Sequence, residues 1–322
     1  MKPKFDVITI GGATEDIFYT VDDFILIDNA NDVLHRKLMA FEYGSKIGVP
    51  EISVAFGGGA TNAAVSFSRL GLRTAMIGAV GHDGRGLAII RNLAKHKVNS
   101  LMVETISNAH SGVSFILENS GDDHIVFTHR GANDNLVLNQ KQCKEIKKVS
   151  LVYVTSLSGN WKKNLEAIFN NAKSVAWNPG RQQISAGMKV LSPFLRKTNI
   201  LICNKDEATE LVASQNNTIP STSLNNIRFL LKELKKLVPG YVVITNGERG
   251  SMAFDGKKVY EQKIVKVKKI VNTTGVGDAF GSSFAAGMKL YQGDIAKSLL
   301  LGAKNSAAVV GRKGAQQGLL YF

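Results

Sequence analysis

The segment Asn272–Phe280 reads NTTGVGDAF, and its residue types suit an anion held beside a proton acceptor. Gly275 and Gly277 stand just ahead of an apolar run of helical character, which leaves the N–H groups of Gly275, Val276 and Gly277 open to a ligand. A helix N-terminus adds partial positive charge, and the combination suits phosphate oxygens. Asp278 follows directly, where it could accept a proton from an attacking hydroxyl. The same residues also read as a tight turn with a helix-capping aspartate, and the local pattern leaves both readings open. A second glycine-rich segment, Phe56–Ala64, reads FGGGATNAA ahead of an amphipathic helix through Leu70. Its glycines let a small ligand approach the backbone, and the Asn62 amide offers both donor and acceptor. A plain strand-to-helix turn is the alternative.

Other chemistries are poorly supported. No GxxxxGKS/T loop and no GxGxxG after a strand occurs, which removes those two routes to nucleotide binding. His35, His82, His96, His110, His124 and His129 have no metal-ligand spacing. Ser156 and Ser158 lack a GxSxG elbow, and Cys143 and Cys203 form neither a CxxC pair nor a disulfide framework. Trp161 and Trp177 read as packing residues. Forty basic against 26 acidic residues give a net charge of +14. The lysines are scattered, with concentrations at Lys144/Lys147/Lys148 and Lys232/Lys235/Lys236 on helical patterns. A third group, Lys263/Lys266/Lys268/Lys269, alternates partly with Ile264, Val265, Val267 and Ile270 as a strand edge does. Solvated faces account for these groups, and attraction of an anionic substrate is the next reading. With 7% aromatic residues and no basic–aromatic interleaving, no nucleic-acid platform is expected. No apolar stretch approaches the roughly 20 residues of a membrane helix, and no signal-peptide pattern opens the chain. A cytoplasmic protein with no membrane partner is expected.

These residues need a frame. Phe5–Ile10 and Thr74–Val80 read as buried strands, and Ile17–Val54 reads as a small β-rich excursion. Val113–Glu118 and His124–His129 flank the turn residues Asn119–Asp123 as a hairpin. From Leu151 on, short apolar runs (Leu151–Thr155, Ser174–Trp177, Ile200–Cys203, Tyr241–Thr245) alternate with helical stretches, which predicts a parallel sheet covered on both faces. A short strand is predicted at Lys263–Val271, followed by closely packed helices at Ala279–Leu290 and Ile295–Val310. Ligands of open α/β sheets bind beyond the carboxyl ends of the strands. Asn178, Asn204 with Glu207, and Thr245 with Gly247 all fall there.

FGGGATNAA and NTTGVGDAF, in that order, resemble the two signatures of the ribokinase (PfkB) family of ATP-dependent sugar and nucleoside kinases. Between and after them, GAVGHDGRG (Gly78–Gly86), RGAN (Arg130–Asn133), NKDE (Asn204–Glu207), TNGERG (Thr245–Gly250) and GRKGAQ (Gly311–Gln316) also resemble the family, each in family order. The resemblance implies a ribokinase-like three-layer α/β/α sandwich with a small β-sheet lid. It would be a single kinase domain over residues 1–322, with the lid inserted from about 17–54 and 108–131. It implies Asp278 as general base, and Gly275, Val276 and Gly277 as the anion hole for the transferring phosphoryl group. Asp16, Gly57, Gly58 and Asn62 resemble the sugar-binding residues, with Arg130 and Asn133 at the lid-to-core return. Asn204, Thr245, Gly247, Gly250, Ala303 and Asn305 fall on the ATP side. Glu207 would act on Mg²⁺ through water. Asn272, Thr274, Val309, Arg312, Gly314 and Gly318 correspond to a monovalent-cation site.

Three departures bear on function. Asn272 replaces the aspartate that usually opens the second signature, so K⁺ activation is expected to be weak or absent. Val276 replaces a small alanine, with little expected consequence because the backbone donors survive. Val154–Ser158 lacks the sugar-binding glutamate of ribokinases proper. The expected function is ATP-dependent phosphorylation of a primary hydroxyl of a ribose- or hexose-like sugar. Nucleoside (adenosine-type) and sugar-phosphate kinases are the alternatives. A catalytically silent relative is disfavoured because Asp278 and its glycines are all present. A homodimer through the lid is expected, because the lid's strand edges would otherwise be exposed.

Overall fold

A computed structural model describes residues 4–28, 37–118, 124–215 and 219–322. The expected turn Asn119–Asp123, His35 and part of the expected lid lie outside these. The first strands are β1 (Val7–Ile10), β2 (Thr14–Thr20), β3 (Ile25–Asp28), β4 (Lys37–Ala40), β5 (Glu51–Gly57), β6 (Thr74–Gly81) and β7 (Asn99–Ile106). Next come β8 (Gly112–Glu118), β9 (His124–His129), β10 (Leu151–Val154) and β11 (Val175–Trp177). The last are β12 (Ile200–Asn204), β13 (Tyr241–Thr245), β14 (Ser251–Phe254) and β15 (Val259–Gln262).

The main sheet runs β15-β14-β13-β12-β11-β10-β1-β6-β7 among the described residues. It is parallel from β13 to β7, and β14 and β15 are antiparallel at one edge. Alternate side chains of its strands point to opposite faces, so two cores form. Ile8, Ile10, Val152, Val154, Trp177 and Ile244 join the core on one face. Val7, Leu151, Tyr153 and Val243 pack on the other against Phe67, Phe280 and Phe284. Burial on both faces explains why these strands read as short continuous apolar runs.

A smaller sheet, β5-β2-β8-β9, stands beyond the carboxyl end of β1, and among the described residues β3 pairs only with β4. Lys313 ties it to the main body: its Nζ lies 2.6 Å from Glu118 Oε1 on β8 and 3.4 Å from Glu51 Oε1 on β5.

One expected element is absent. Lys263–Val271 is irregular, because β15 ends at Gln262 and already forms the sheet edge. Its pattern is satisfied differently: Val265, Val267 and Ile270 line a cavity while Lys266, Lys268 and Lys269 face solvent. The strand-edge reading of Lys263/Lys266/Lys268/Lys269 falls with it. The helix after it begins at Val276, three residues before the expected Ala279. No described helix is long and apolar enough to cross a membrane.

Candidate active site

Gly275 caps the Val276–Leu290 helix in left-handed backbone, φ 76°. A Cβ there would lie 2.2 Å from that of Ala315, so both conformation and space require glycine. Amides in the first turn of this helix have no intrahelical carbonyl and face outward from the turn. Asp278 lies in that same turn, and its Oδ2 accepts a hydrogen bond of 2.9 Å from Asn62 Nδ2.

The three glycines of Phe56–Ala64 each make room for a different neighbour. A Cβ on Gly57 would overlap the Asp16 carboxylate, 1.9 Å from Oδ2. On Gly58, whose φ is 88°, it would lie 2.5 Å from the Gly12 carbonyl oxygen. On Gly59 it would lie 2.9 Å from Thr155 Cβ and 3.3 Å from Asp278 Oδ1. The Gly59–Arg69 helix thus starts close against the β1–β2 turn and the Asp278 carboxylate, bringing Asn62 between two segments far apart in sequence.

Asp16, on β2, is 4% exposed and accepts a 3.0 Å hydrogen bond from Thr14 Oγ1. Burial raises its pKa, against the hydrogen bonds from Ser114 and Thr14. Asp278 is raised as well: enclosure is the main cause, the Asn62 hydrogen bond opposes it, and the Asp16 charge adds to it. Two carboxylates on either side of the Gly57–Gly59 backbone thus oppose each other's ionisation, an arrangement common where proton transfer is needed.

A cavity of 240 Å³ opens beside Asp278, lined also by Asn178, Asn204, Glu207, Thr245, Gly275 and Gly277. Asn204 and Glu207 form a reciprocal cap: Asn204 Oδ1 accepts from the Glu207 amide at 2.8 Å, and Glu207 Oε2 accepts from the Asn204 amide at 2.9 Å. Glu207 Oε1 has no hydrogen-bond partner among the described residues. Burial raises the Glu207 pKa, the bond from Asn204 opposes this, and Asp206, Asp278 and Glu210 add to the rise. No group of three or more His, Cys, Asp or Glu side chains among the described residues could hold a metal unaided.

A second cavity, 300 Å³, meets the first at Thr245 and Gly277. Gly247 and Gly250 line it, with Phe280, Val276 and the apolar side chains of the 263–271 segment. The expected residues Thr245, Gly247, Gly250 and Ala303 are therefore together here. Asn305 is not. It is fully buried on the other side of its helix, donating to Ser66 and Ser283 and accepting from the Leu320 amide at 2.8 Å. Ala303, Ser306, Ala307 and Val310, spaced as one helical face, line the cavity instead.

Asn133 is also corrected. Its Oδ1 accepts from the Ala13 amide at 2.9 Å, and its Nδ2 donates at 2.9 Å to the carbonyls of Ala13 and Arg130. It clamps the β1–β2 turn and has no donor left over for a ligand. Arg130 beside it is exposed. Among the cation-site residues, buried Asn272 accepts from the Thr274 amide at 2.7 Å through Oδ1. The Thr274 hydroxyl is buried with no partner among the described residues. Val309 is buried and Arg312 exposed, while Gly314 and Gly318 abut Ala55 and the Ala308 carbonyl. The two segments meet where the Val310 carbonyl accepts from the amides of Val271 and Asn272.

The sequence reading misses the apolar lining from 263–271 and Gln316, while Asn178 lines the first cavity at the strand end where it was expected. Gln316 Nε2 donates to Asn62 Oδ1 at 2.9 Å. The only signal for it was its place at the end of GRKGAQ.

A largely parallel α/β sandwich carries a buried carboxylate beside a glycine turn at a helix start, with two joined cavities alongside. The chain belongs to the pfkB family of carbohydrate kinases, whose model matches residues 23–320. It is 26% identical over 329 residues to a ribokinase of Dictyostelium discoideum, covering 96% of each chain. With a nucleoside kinase of Methanocaldococcus jannaschii it shares 25% identity over 287 residues, 86% of each. Its fold matches Arabidopsis thaliana ribokinase complexed with ribose and ATP at TM-score 0.81 and 20% identity, over 100% of this chain and 96% of that one. The protein is a sugar or nucleoside kinase of ribokinase-like fold.

Proposed function

We propose that the protein transfers the γ-phosphoryl group of ATP to a primary hydroxyl of a free ribose- or hexose-like sugar. The observation that supports this most directly is the convergence of Asp278, the Gly275–Gly277 turn, Asn62 and Asp16 around the Gly57–Gly59 backbone. In this reading Asp16, Asn62 and the backbone of Gly57 and Gly58 hold the acceptor, with Arg130 at the rim. Asp278 takes the hydroxyl proton as the new O–P bond forms and ADP leaves. The amides of Gly275, Val276 and Gly277 stabilise charge on the group in transit. The nucleotide lies along the joined cavities, its base near Ala303 and its phosphates toward Asn204 and Thr245.

Mg²⁺ neutralises phosphate charge when bound, and Asn204 with Glu207 Oε1 would hold it through water. A cation there relieves the crowding of negative charge that raises the Glu207 pKa. The monovalent-cation residues offer the Thr274 hydroxyl and carbonyls but no carboxylate, so K⁺ stimulates turnover weakly or not at all. The whole chain acts as one domain, with the small sheet as a lid that excludes water when closed. Lid strands carry exposed Ile52 and Val54 on β5 and Phe127 on β9, which favours a homodimer through this sheet. Free Cys143 and Cys203 suit a reducing, cytoplasmic setting.

A nucleoside acceptor is the second reading, favoured by Thr155 standing in the stretch where ribokinases proper carry a glutamate. The test is ADP formation from Mg-ATP against ribose, fructose, adenosine and cytidine, with and without K⁺. One clear sugar acceptor supports the proposal, and a nucleoside acceptor alone replaces it with the second reading. No turnover together with no ATP binding overturns both.

A further inference from the structure

We infer that Gln316 is a positioning residue for the reaction: it fixes the Asn62 amide so that its NH₂ group, and not its carbonyl, faces Asp278. This rests on the proposed role of Asp278 only for its kinetic consequence. An ionised Asp278 can only accept and draws the NH₂ end of Asn62. A protonated one could equally donate to the Asn62 carbonyl, so the amide needs a second anchor to keep its donor facing the carboxyl. Three hydrogen bonds remove that freedom. Asn92 Nδ2 donates to Gln316 Oε1 at 2.8 Å, and Gln316 Nε2 donates to Asn62 Oδ1 at 2.9 Å. Asn62 Nδ2 in turn donates to Asp278 Oδ2 at 2.9 Å. Each acceptor oxygen is taken by the next amide, so the relay has one direction and ends on the carboxylate with a donor. Asn62 and Gln316 are 4% and 6% exposed, so water does not readily substitute for either bond.

The donor stabilises the ionised form of Asp278, which is the form that accepts a proton. It works against enclosure and the like charge of Asp16 on β2. Glu207, at the start of the Lys205–Ala213 helix, and the buried Tyr153 phenol on β10 are the other titratable groups coupled to Asp278. None of these supplies a positive charge. Beside the partial positive charge of its helix start, Asn62 is thus the one side-chain counterweight identified at this carboxylate among the described residues, and Gln316 is what anchors it.

The test is a ¹³C titration of the Asp278 side-chain carboxyl in aspartate-labelled protein, with the signal assigned by its loss in Asp278→Asn. Gln316→Leu is expected to raise the midpoint by about one pH unit, the size of a lost charge-assisted hydrogen bond. Combined with Asn62→Leu it is expected to add nothing to the shift of Asn62→Leu alone. Asn92→Leu, at the partly exposed end of the relay, should shift the midpoint the same way by less, and it serves if Gln316→Leu does not fold. With an accepted substrate, Gln316→Leu should lower kcat about tenfold on the acid side and restore it at higher pH, following the titration. An unmoved midpoint in Gln316→Leu, or a shift that persists in the Asn62→Leu background, overturns the inference. Absence of phosphotransfer by the unaltered protein overturns the proposed function instead, and leaves the titration to decide the relay.

Discussion

Asp278 holds its charge in surroundings that oppose it, and that tension has a measurable cost. Enclosure and the Asp16 charge raise its folded-state pKa above the ordinary 3.8, so the ionised form weakens the fold. The penalty is complete above the raised value and fades as pH falls through it toward 3.8. Asp278→Asn is therefore expected to raise Tm at neutral pH, with the gain shrinking on acidification, while turnover drops about 10²–10⁴-fold. Thermal unfolding across pH, alongside ADP release, checks both halves. A variant no more stable than the parent at neutral pH would remove the claim of charge stress. At this scale, legibility followed the reach of the side chain. The placement of Asp278, Asn204 and Glu207 was readable because each stands at a helix start whose signal lies a few residues away. Asn133 and Asn305 were misjudged because their partners, Ala13 and Leu320, lie far off in sequence or beyond the motif. An amide looks equally ready for a ligand or a distant carbonyl until the fold supplies the carbonyl.

Among the elements, the loop Gly311–Gly318 connects most. Lys313 reaches Glu118 and Glu51 on the small sheet, Ala315 packs under Gly275, and Gln316 holds Asn62. Lys313→Ala should cost about 1 kcal/mol in global stability, since partly exposed ion pairs contribute little. Its larger effect should be on the acceptor KM, raised several-fold, with more ATP hydrolysis in the absence of acceptor. Steady-state kinetics with and without acceptor measures both, and an unchanged KM would mean the ion pairs do not hold the lid. The segment 263–271 is the element the sequence misreported. Alternation of apolar and basic residues has the period of a strand, but a wall with one side on a cavity and one in water imposes the same period.

For the molecule as a whole, the three-layer plan was visible because a parallel sheet buried on both faces writes itself as short apolar runs between helices. The strand order was not, since every such run looks alike, and neither was the join between β2 and β8. Exposed apolar groups on the small sheet carry a consequence for assembly. Val54→Lys is expected to convert a dimer to a monomer in light scattering and to leave ATP binding intact. A parent protein that is monomeric at micromolar concentration would end that expectation.

Gly57, Gly58 and Gly59 offer a last point, about how such a chain can change. Their three excluded Cβ atoms meet different obstacles: a carboxylate, a backbone carbonyl, and a threonine backed by a second carboxylate. No single compensating substitution elsewhere relieves all three, and the Gly12 carbonyl cannot be substituted away at all. Gradual drift through this triplet is blocked at each position separately. A glycine run under three independent prohibitions persists as a recognisable string even when the sequence around it has diverged.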